Sequence, residues 1–170
     1  MLTFSLLYAF SEKFILPISH DEVVHGKANL LSKMPGDDWK KFANARLFYS
    51  YQICHPGKVL VFMGVELGAW NEWNSQEELP WGLLGYERHQ KLQRFFQQIN
   101  AFYRKNFALW QWDFDSRGFE WVDFSDQHNC CISYLRKSDQ QFLFCVHNFS
   151  ANWLPNYVIH LPNVIRIVEV

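Results

Sequence analysis

Two short, unbroken apolar runs constrain the fold of this chain more than any other feature. The first covers residues 14–18 and the second covers residues 59–63. A strand without polar alternation is typical of a parallel sheet, whose strands are buried on both faces. We therefore expect residues 13–18 and 58–63 to form neighbouring parallel strands, joined by a helix in the usual right-handed crossover.

The patterns between and after these runs predict two longer helices. Turn and N-cap signals at residues 35–38 precede apolar residues at helical spacing, and Pro56 and Gly57 should end this helix. A second helical pattern runs from Tyr86 to Tyr103. Strand, helix, strand and helix in this order form the repeating unit of barrels and doubly wound sheets. The apolar residues 1–10 predict a short buried helix that is too short to cross a bilayer.

The spacing of the apolar residues along the sequence changes after Asp113. Short segments divided by turns rich in Asp, Asn, Ser and Pro predict a separate all-β unit. Two strand-helix units cannot close a barrel of eight, and the chain stops inside an apolar segment, so we expect a piece of something larger. The segments predicted as strands, and the final apolar segment, are 118–124, 130–137, 141–149, 156–161 and Val164 to Val168.

The charge and the cysteines exclude several classes of partner. Sixteen basic residues against seventeen acidic ones are scattered along the chain, so no basic stripe is available for nucleic acid or a membrane surface. The four cysteines show no CxxC spacing, and Cys130 and Cys131 would point to opposite faces of a strand. We expect no metal and no cofactor, and reduced thiols in the cytoplasm.

A polar cluster, Ser19 to Glu22, follows the first apolar run directly. Enzymes with parallel α/β sheets keep their chemistry just past the C-terminal ends of such strands. His20 and His25 are five residues apart and would fall on different helix faces, which argues against zinc. Taken alone, Asp21 would more readily be interpreted as a helix N-cap or turn residue.

The longer string from His20 to Lys27, HDEVVHGK, resembles the seventh-strand motif of the α-amylase superfamily in the form found in 1,4-α-glucan (glycogen) branching enzymes. Further blocks with the same resemblance are collinear over nearly the whole chain. They are Met34 to Trp39, Phe42 to Asn44, Phe62 to Gly64 with Glu66, Glu72 to Asn74, Gly118 to Trp121, and Asn148 with Phe149.

This resemblance implies the C-terminal end of a (β/α)8 barrel over residues 1–108, followed by a truncated antiparallel β-sandwich over residues 109–170. The implied reaction transfers an α-1,4-glucan chain to a sugar 6-hydroxyl and forms an α-1,6 branch. Asp21 would accept hydrogen bonds from ring hydroxyls and favour the developing positive charge, and His20 would donate to the same hydroxyls. The family's nucleophile Asp and acid/base Glu lie on earlier strands. We therefore expect the isolated chain to be inactive.

Two questions stay open from the sequence. Glu66, Trp70 and Trp73 either line a glucan groove or close the barrel mouth by packing and ion pairing. The chain is either a segment that works with the missing N-terminal part of the enzyme, or a non-catalytic glucan-binding remnant. His25 and Lys27 are interpreted as loop-structuring residues. Leu67, Ala69 and Pro80 depart from the residues expected by resemblance.

Overall fold

The computed structural model describes residues 3–24 and 26–161. Helices and strands alternate in the first part of the chain, and strands alone follow in the second. The α-helices are α1 (Leu30–Lys33), α2 (Asp38–Cys54) and α3 (Glu87–Lys105), and the strands are β1 (Ile15–Ile18), β2 (Lys58–Val61), β3 (Phe119–Asp123), β4 (Cys131–Lys137) and β5 (Phe142–Asn148).

The predicted parallel pair is confirmed. Strands β1 and β2 run parallel, with Ile15 opposite Lys58 and Ile18 opposite Val61. Helix α2 lies between them in the sequence and begins where expected, because the side chain of Asp37 accepts a hydrogen bond from the backbone N of Lys40 at 2.9 Å. The helix ends at Cys54, just before the Pro-Gly pair.

The expected burial of these two strands on both faces is wrong. Ile15 is 59% exposed and Leu60 is 47% exposed. Pro17 and Val61 of the same two strands are exposed as well. The described residues therefore leave part of the apolar surface of both strands uncovered.

Helices α2 and α3 enclose the first core. Tyr49 of α2 and Phe96 of α3 meet edge to face with ring centroids 4.4 Å apart, and Phe42 and Leu92 extend the same cluster. Aromatic pairs of this geometry are worth about 0.5–1.5 kcal/mol beyond the apolar area they bury. The core thus packs α3 against α2, and Ile18 at the end of β1 packs against the same cluster.

The second part of the chain forms a three-stranded antiparallel sheet in the order β3-β4-β5. Three of the four predicted strands are confirmed within two residues at each end. The fourth, over residues 156–161, is wrong, because Asn156 adopts a left-handed backbone with φ of 61° and no strand follows it up to residue 161. The predicted apolar segment Val164 to Val168 lies outside the described residues.

The N-terminal prediction is also wrong. Residues Phe4–Leu7 form one turn of 3-10 helix, in which Phe4 and Leu7 are exposed. A single turn presents side chains around its whole circumference, so apolar composition alone does not bury it. Along the described residues there is no helix with the length and apolarity that a membrane crossing requires.

A buried ionic cluster joins the two sheets. Arg136 of β4 has 0% side-chain exposure and donates from Nη2 to Oδ1 of Asp113 at 2.6 Å. Asp113 also pairs with Lys58 at the start of β2, at 2.7 Å. The Nη1 atom of Arg136 donates to the carbonyl oxygen of Cys54 at 2.8 Å. One guanidinium of β4 therefore contacts the end of α2 and the Asp113 loop.

Candidate functional site

The His-Asp pair lies directly beyond the C-terminal end of β1. His20–Glu22 form one 3-10 turn, and the side chain of Asp21 is 68% exposed. Nε2 of His20 is 3.2 Å from Oδ1 of Asp21, and the hydroxyl of Ser19 donates to Oδ2 at 3.5 Å. The Asp21 carboxylate therefore neither enters an apolar core nor caps a long helix, and it is open to a ligand.

Two lysines hold the backbone of this turn. Nζ of Lys27 donates to the carbonyl oxygen of Asp21 at 2.6 Å, and Nζ of Lys33 donates to the carbonyl oxygen of Glu22. Lys33 also lies 3.9 Å from the Glu22 carboxylate. The carboxylate of Glu22 is therefore attracted to the ammonium group of Lys33. The contact of Lys27 agrees with its predicted loop-structuring role, whereas His25 lies outside the described residues.

The loop after β2 is hydrogen-bonded to the segment after β1, so the two loops lie together. The backbone N of Trp73 donates to the carbonyl oxygen of Val23 at 3.0 Å. The backbone N of Ala28 donates to Oε1 of Glu72 at 2.9 Å. Two side chains, Asn29 and Ser32, donate to backbone oxygens of the same loop at 3.0 Å and 2.7 Å.

An aromatic series connects Trp73 with the His-Asp turn. The rings of Trp73 and Phe62 meet edge to face at 5.1 Å, and the ring of Phe62 lies 6.2 Å from that of His20. Phe62 was missed as a site residue because it lies within an apolar strand pattern. Glu72 was missed as well. Its contact with Ala28, which has a left-handed φ of 58°, carries no local sequence signal.

Trp70 is part of the core edge. Its ring meets Phe42 at 5.9 Å and His89 at 6.0 Å, both edge to face, and it packs against the α2-α3 cluster. With Trp73 and Glu72 it also lines a small pocket of about 140 Å³. Trp70 therefore packs against the core and also forms part of the wall of this pocket.

Glu66 faces away from this small pocket. Its Oε2 accepts a hydrogen bond from the backbone N of Gly64 at 2.9 Å, and the residue lines an open groove of about 790 Å³ between β2 and α3. Burial, and then the charge of Glu66, raise the pKa of Tyr49 well above its usual value. The structure thus connects the His20–Asp21 turn with Trp73 through Phe62, and Phe62 also lines the groove that Glu66 lines.

Over residues 3–24 and 26–161, no group of three or more His, Cys, Asp or Glu side chains is arranged to hold a metal ion. The side chains of His20 and Asp21 can supply hydrogen bonding and electrostatic attraction. An exposed carboxylate with an adjacent imidazole can accept from and donate to vicinal hydroxyls, and neighbouring rings supply apolar faces.

Comparisons with known proteins agree with the sequence resemblance. Residues 121–168 match the family described as "Alpha amylase, C-terminal all-beta domain". Among solved structures, a cyclomaltodextrinase superposes with a TM-score of 0.52 at 23% identity, over 71% of this chain and 19% of the other. That likeness concerns the fold. The family match covers β4 and β5 and most of β3.

Three relatives named 1,4-alpha-glucan branching enzyme GlgB are much closer in sequence. The chain is 57% identical to that of Protochlamydia amoebophila over 169 residues, which are 99% of this chain and 23% of the relative. It is 48% identical to that of Halothermothrix orenii over 100% of this chain and 27% of the relative. The Chlamydia caviae relative is 49% identical over 96% and 23%, respectively. Over nearly its whole length the chain is thus similar to a C-terminal part of 1,4-alpha-glucan branching enzymes, and it spans about a quarter of the length of these relatives.

Proposed function

We propose that the chain takes part in 1,4-α-glucan branching, as the portion of the enzyme that binds the sugar at the cleaved bond. The observation that carries this proposal is the exposed Asp21 carboxylate beside His20, directly after β1 and inside the family string HDEVVHGK. Residues 1–108 would be the end of a (β/α)8 barrel, and residues 109–170 an incomplete C-terminal β-sandwich.

In this proposal Asp21 accepts hydrogen bonds from ring hydroxyls of the α-glucan, and His20 donates to them. These bonds strengthen as the ring flattens towards an oxocarbenium-like transition state, and the negative charge of Asp21 favours the positive charge that develops. The transferred chain then leaves on a 6-hydroxyl. Trp73 would keep the imidazole of His20 in place through Phe62, and Trp70 would support the same loop from the core.

A retaining transfer needs a nucleophilic carboxylate and an acid/base carboxylate in addition to Asp21. Near the His-Asp turn, the carboxylates of the described residues Glu22, Glu66 and Glu72 contact Lys33, Gly64 and Ala28, respectively. Each of these contacts holds the carboxylate of the glutamate against a loop residue. We therefore propose that the nucleophile and the acid/base come from the N-terminal part of a branching enzyme.

The strand pair offers a surface for that part. The open groove between β2 and α3 and a second groove of about 380 Å³ beside β1 and α2 flank the two strands. Leu16, Ile18, Phe48 and Tyr51 line the second groove. Uncovered apolar strands favour association with further barrel elements.

We propose the cytoplasm as the location, where the thiols of the four free cysteines would stay reduced.

A complementation assay tests the proposal. The chain is incubated with amylose alone, and in parallel together with the separately expressed N-terminal part of the Protochlamydia amoebophila relative. Enzymatic debranching and chain-length analysis then measure new α-1,6 linkages. We expect branching only in the mixture. Complex formation without branching would favour the second candidate, a glucan-binding remnant. The contacts that the three nearby glutamates make with loop residues agree with this candidate as well.

A further inference from the structure

The loop that follows β2 is hydrogen-bonded at two points to the segment that follows the His-Asp turn. The backbone N of Trp73 donates to the carbonyl oxygen of Val23 at 3.0 Å. Half-buried Glu72 accepts a hydrogen bond at Oε1 from the backbone N of Ala28 at 2.9 Å. Two consecutive residues of one loop therefore hold both ends of residues 23–28 in the other.

The backbone of this segment adopts a conformation that an alanine seldom takes. Ala28 has a left-handed φ of 58°, and Gly26 has a φ of 80°. A glycine adopts such angles freely, whereas in other residues the Cβ atom comes too close to the carbonyl oxygen. Ala28 therefore needs a contact that holds it in place, and the hydrogen bond from its backbone N to Glu72 supplies one.

Lys27 lies between these two left-handed residues and reaches back to the His-Asp turn. Its Nζ atom donates to the carbonyl oxygen of Asp21 at 2.6 Å. The peptide group that follows Asp21 is thus held from outside the turn. The path of the backbone from Gly26 to Ala28 therefore directs the ammonium group of Lys27 towards this peptide.

We propose that Glu72 is a positioning residue that fixes the orientation of the Asp21 carboxylate. It acts through the backbone of Ala28 and the ammonium group of Lys27, and it does not touch the sugar itself. This role rests on the proposed function, in which Asp21 binds the sugar at the cleaved bond. A displacement of about 1 Å at such a group can cost about 10²-fold in rate, so a small movement of the turn is sufficient to slow the reaction.

The contact with Ala28 requires an acceptor at the right distance and does not require a negative charge. Glu72→Gln keeps an oxygen at this distance, and an amide oxygen accepts from a backbone N–H as a carboxylate does. Glu72→Asp keeps the charge, but its side chain is one methylene shorter and should lose the contact. A carboxylate that acted as base or nucleophile would be lost in Glu72→Gln, so the two variants separate the roles.

Hydrogen exchange of the 170-residue chain, followed by NMR, tests the structural step without any glucan. Within the turn, the backbone N of Val23 donates to the carbonyl oxygen of His20 at 2.9 Å. In Glu72→Asp we expect the amides of Ala28 and Val23 to exchange roughly 3- to 10-fold faster, as the loss of one hydrogen bond implies. Lys27→Ala should accelerate exchange at Val23 alone. Glu72→Gln should exchange like the parent chain, and urea midpoints check that each variant is folded.

Branching rates of the chain combined with the N-terminal part of the Protochlamydia amoebophila relative test the functional step. We expect Glu72→Asp and Lys27→Ala each to lower kcat by about 10- to 10²-fold with KM close to the parent value, because a misplaced Asp21 weakens binding of the transition state. The double variant should be no slower than the slower single variant, because both residues act on one peptide. Glu72→Gln should keep most of the rate. The matched control is Glu87→Asp, since exposed Glu87 pairs with Lys91 on α3, and it should branch like the parent.

Three results would overturn the proposal. Glu72→Gln could be as slow as Glu72→Asp, or Glu72→Asp could raise KM alone, which would place the carboxylate on the sugar. Unchanged hydrogen exchange at Val23 in Glu72→Asp is the third. If the parent combination does not branch amylose, the proposed function fails, and the exchange rates of the isolated chain still decide whether Glu72 holds the turn.

Discussion

Arg136 and Asp113 form an ion pair with 2.6 Å between Nη2 and Oδ1, and both side chains are almost completely buried. The pair joins the three-stranded sheet to the loop that follows α3, and through Lys58 to the first residue of β2. A buried guanidinium of this kind is retained only when its donors are satisfied. Those of Arg136 reach Gly118, Cys54, Leu109 and Asp113.

Arg136→Ala should destabilise the chain strongly, because it leaves Asp113 buried with one cation instead of two. Removal of one partner of a buried ion pair costs about 3–5 kcal/mol. Urea unfolding followed by tryptophan fluorescence measures the loss. Arg117→Ala is the matched control, since Arg117 pairs with Asp115 on the surface, and its unfolding midpoint should stay close to that of the parent chain. Equal effects of the two substitutions would contradict this account.

Stability should fall on acidification because of His147. Burial lowers the pKa of this residue to about 4 from its ordinary 6.5, and its Nε2 lies 2.9 Å from the hydroxyl of Tyr134. The folded state therefore binds fewer protons than the unfolded state between these two values. The free energy of unfolding that neutral His147 contributes is fully present above pH 6.5. It is lost as the pH falls towards 4, and the loss amounts to roughly 3 kcal/mol.

Urea midpoints measured across this pH range test the His147 effect. His147→Gln should flatten the dependence, because the side chain no longer takes up a proton. A shallower dependence should remain, since burial also lowers the pKa of His55. An unchanged pH profile in His147→Gln would show that another group is responsible.

Substitutions of Trp70 and Trp73, both in the loop after β2, should have different effects. Trp70→Ala should cost about 2–4 kcal/mol of stability, because Trp70 packs against Phe42 and His89 in the core. Trp73→Ala should cost less, but should change the NMR signals of the His20 imidazole through Phe62. Unfolding curves and histidine spectra of both variants decide this. A His20 spectrum altered only by Trp70→Ala would contradict the assignment.

The parts of the fold that follow from local pattern could be predicted from the sequence. Helix α2 is such a case: its N-cap, Asp37, and the stop at Pro56 are neighbours of the residues they control. The parallel pairing of β1 and β2 also follows, because the intervening helix fixes their relative direction. The ends of these elements agree with expectation within a few residues.

Contacts between distant residues could not be predicted. Asp113 and Arg136 lie in different elements, as do Ala28 and Glu72, and no periodicity connects them. The two wrong elements fail for physical reasons. The N-terminal run is apolar but lacks a surface to cover it, and the left-handed backbone at Asn156 interrupts an otherwise strand-like pattern. Of the site, the location of the His-Asp turn directly after a strand followed from the pattern, and its sugar-binding role was predicted from the family resemblance. Phe62 and Glu72 were not predicted, because they act through tertiary contacts.

We propose that Asp21 binds the sugar at the cleaved bond. Branching rates of the chain combined with the N-terminal part of the relative test this role, measured for the parent sequence, for Asp21→Ala and for Asp139→Ala. Asp139 is an exposed aspartate whose carboxylate accepts from Gln111, which makes it a matched control. We expect Asp21→Ala to lower kcat/KM by about 10²–10³ or more, mainly through kcat, because the lost hydrogen bonds are strongest in the transition state. Asp139→Ala should branch amylose at the parent rate. Equal rates for Asp21→Ala and the parent combination would contradict the account.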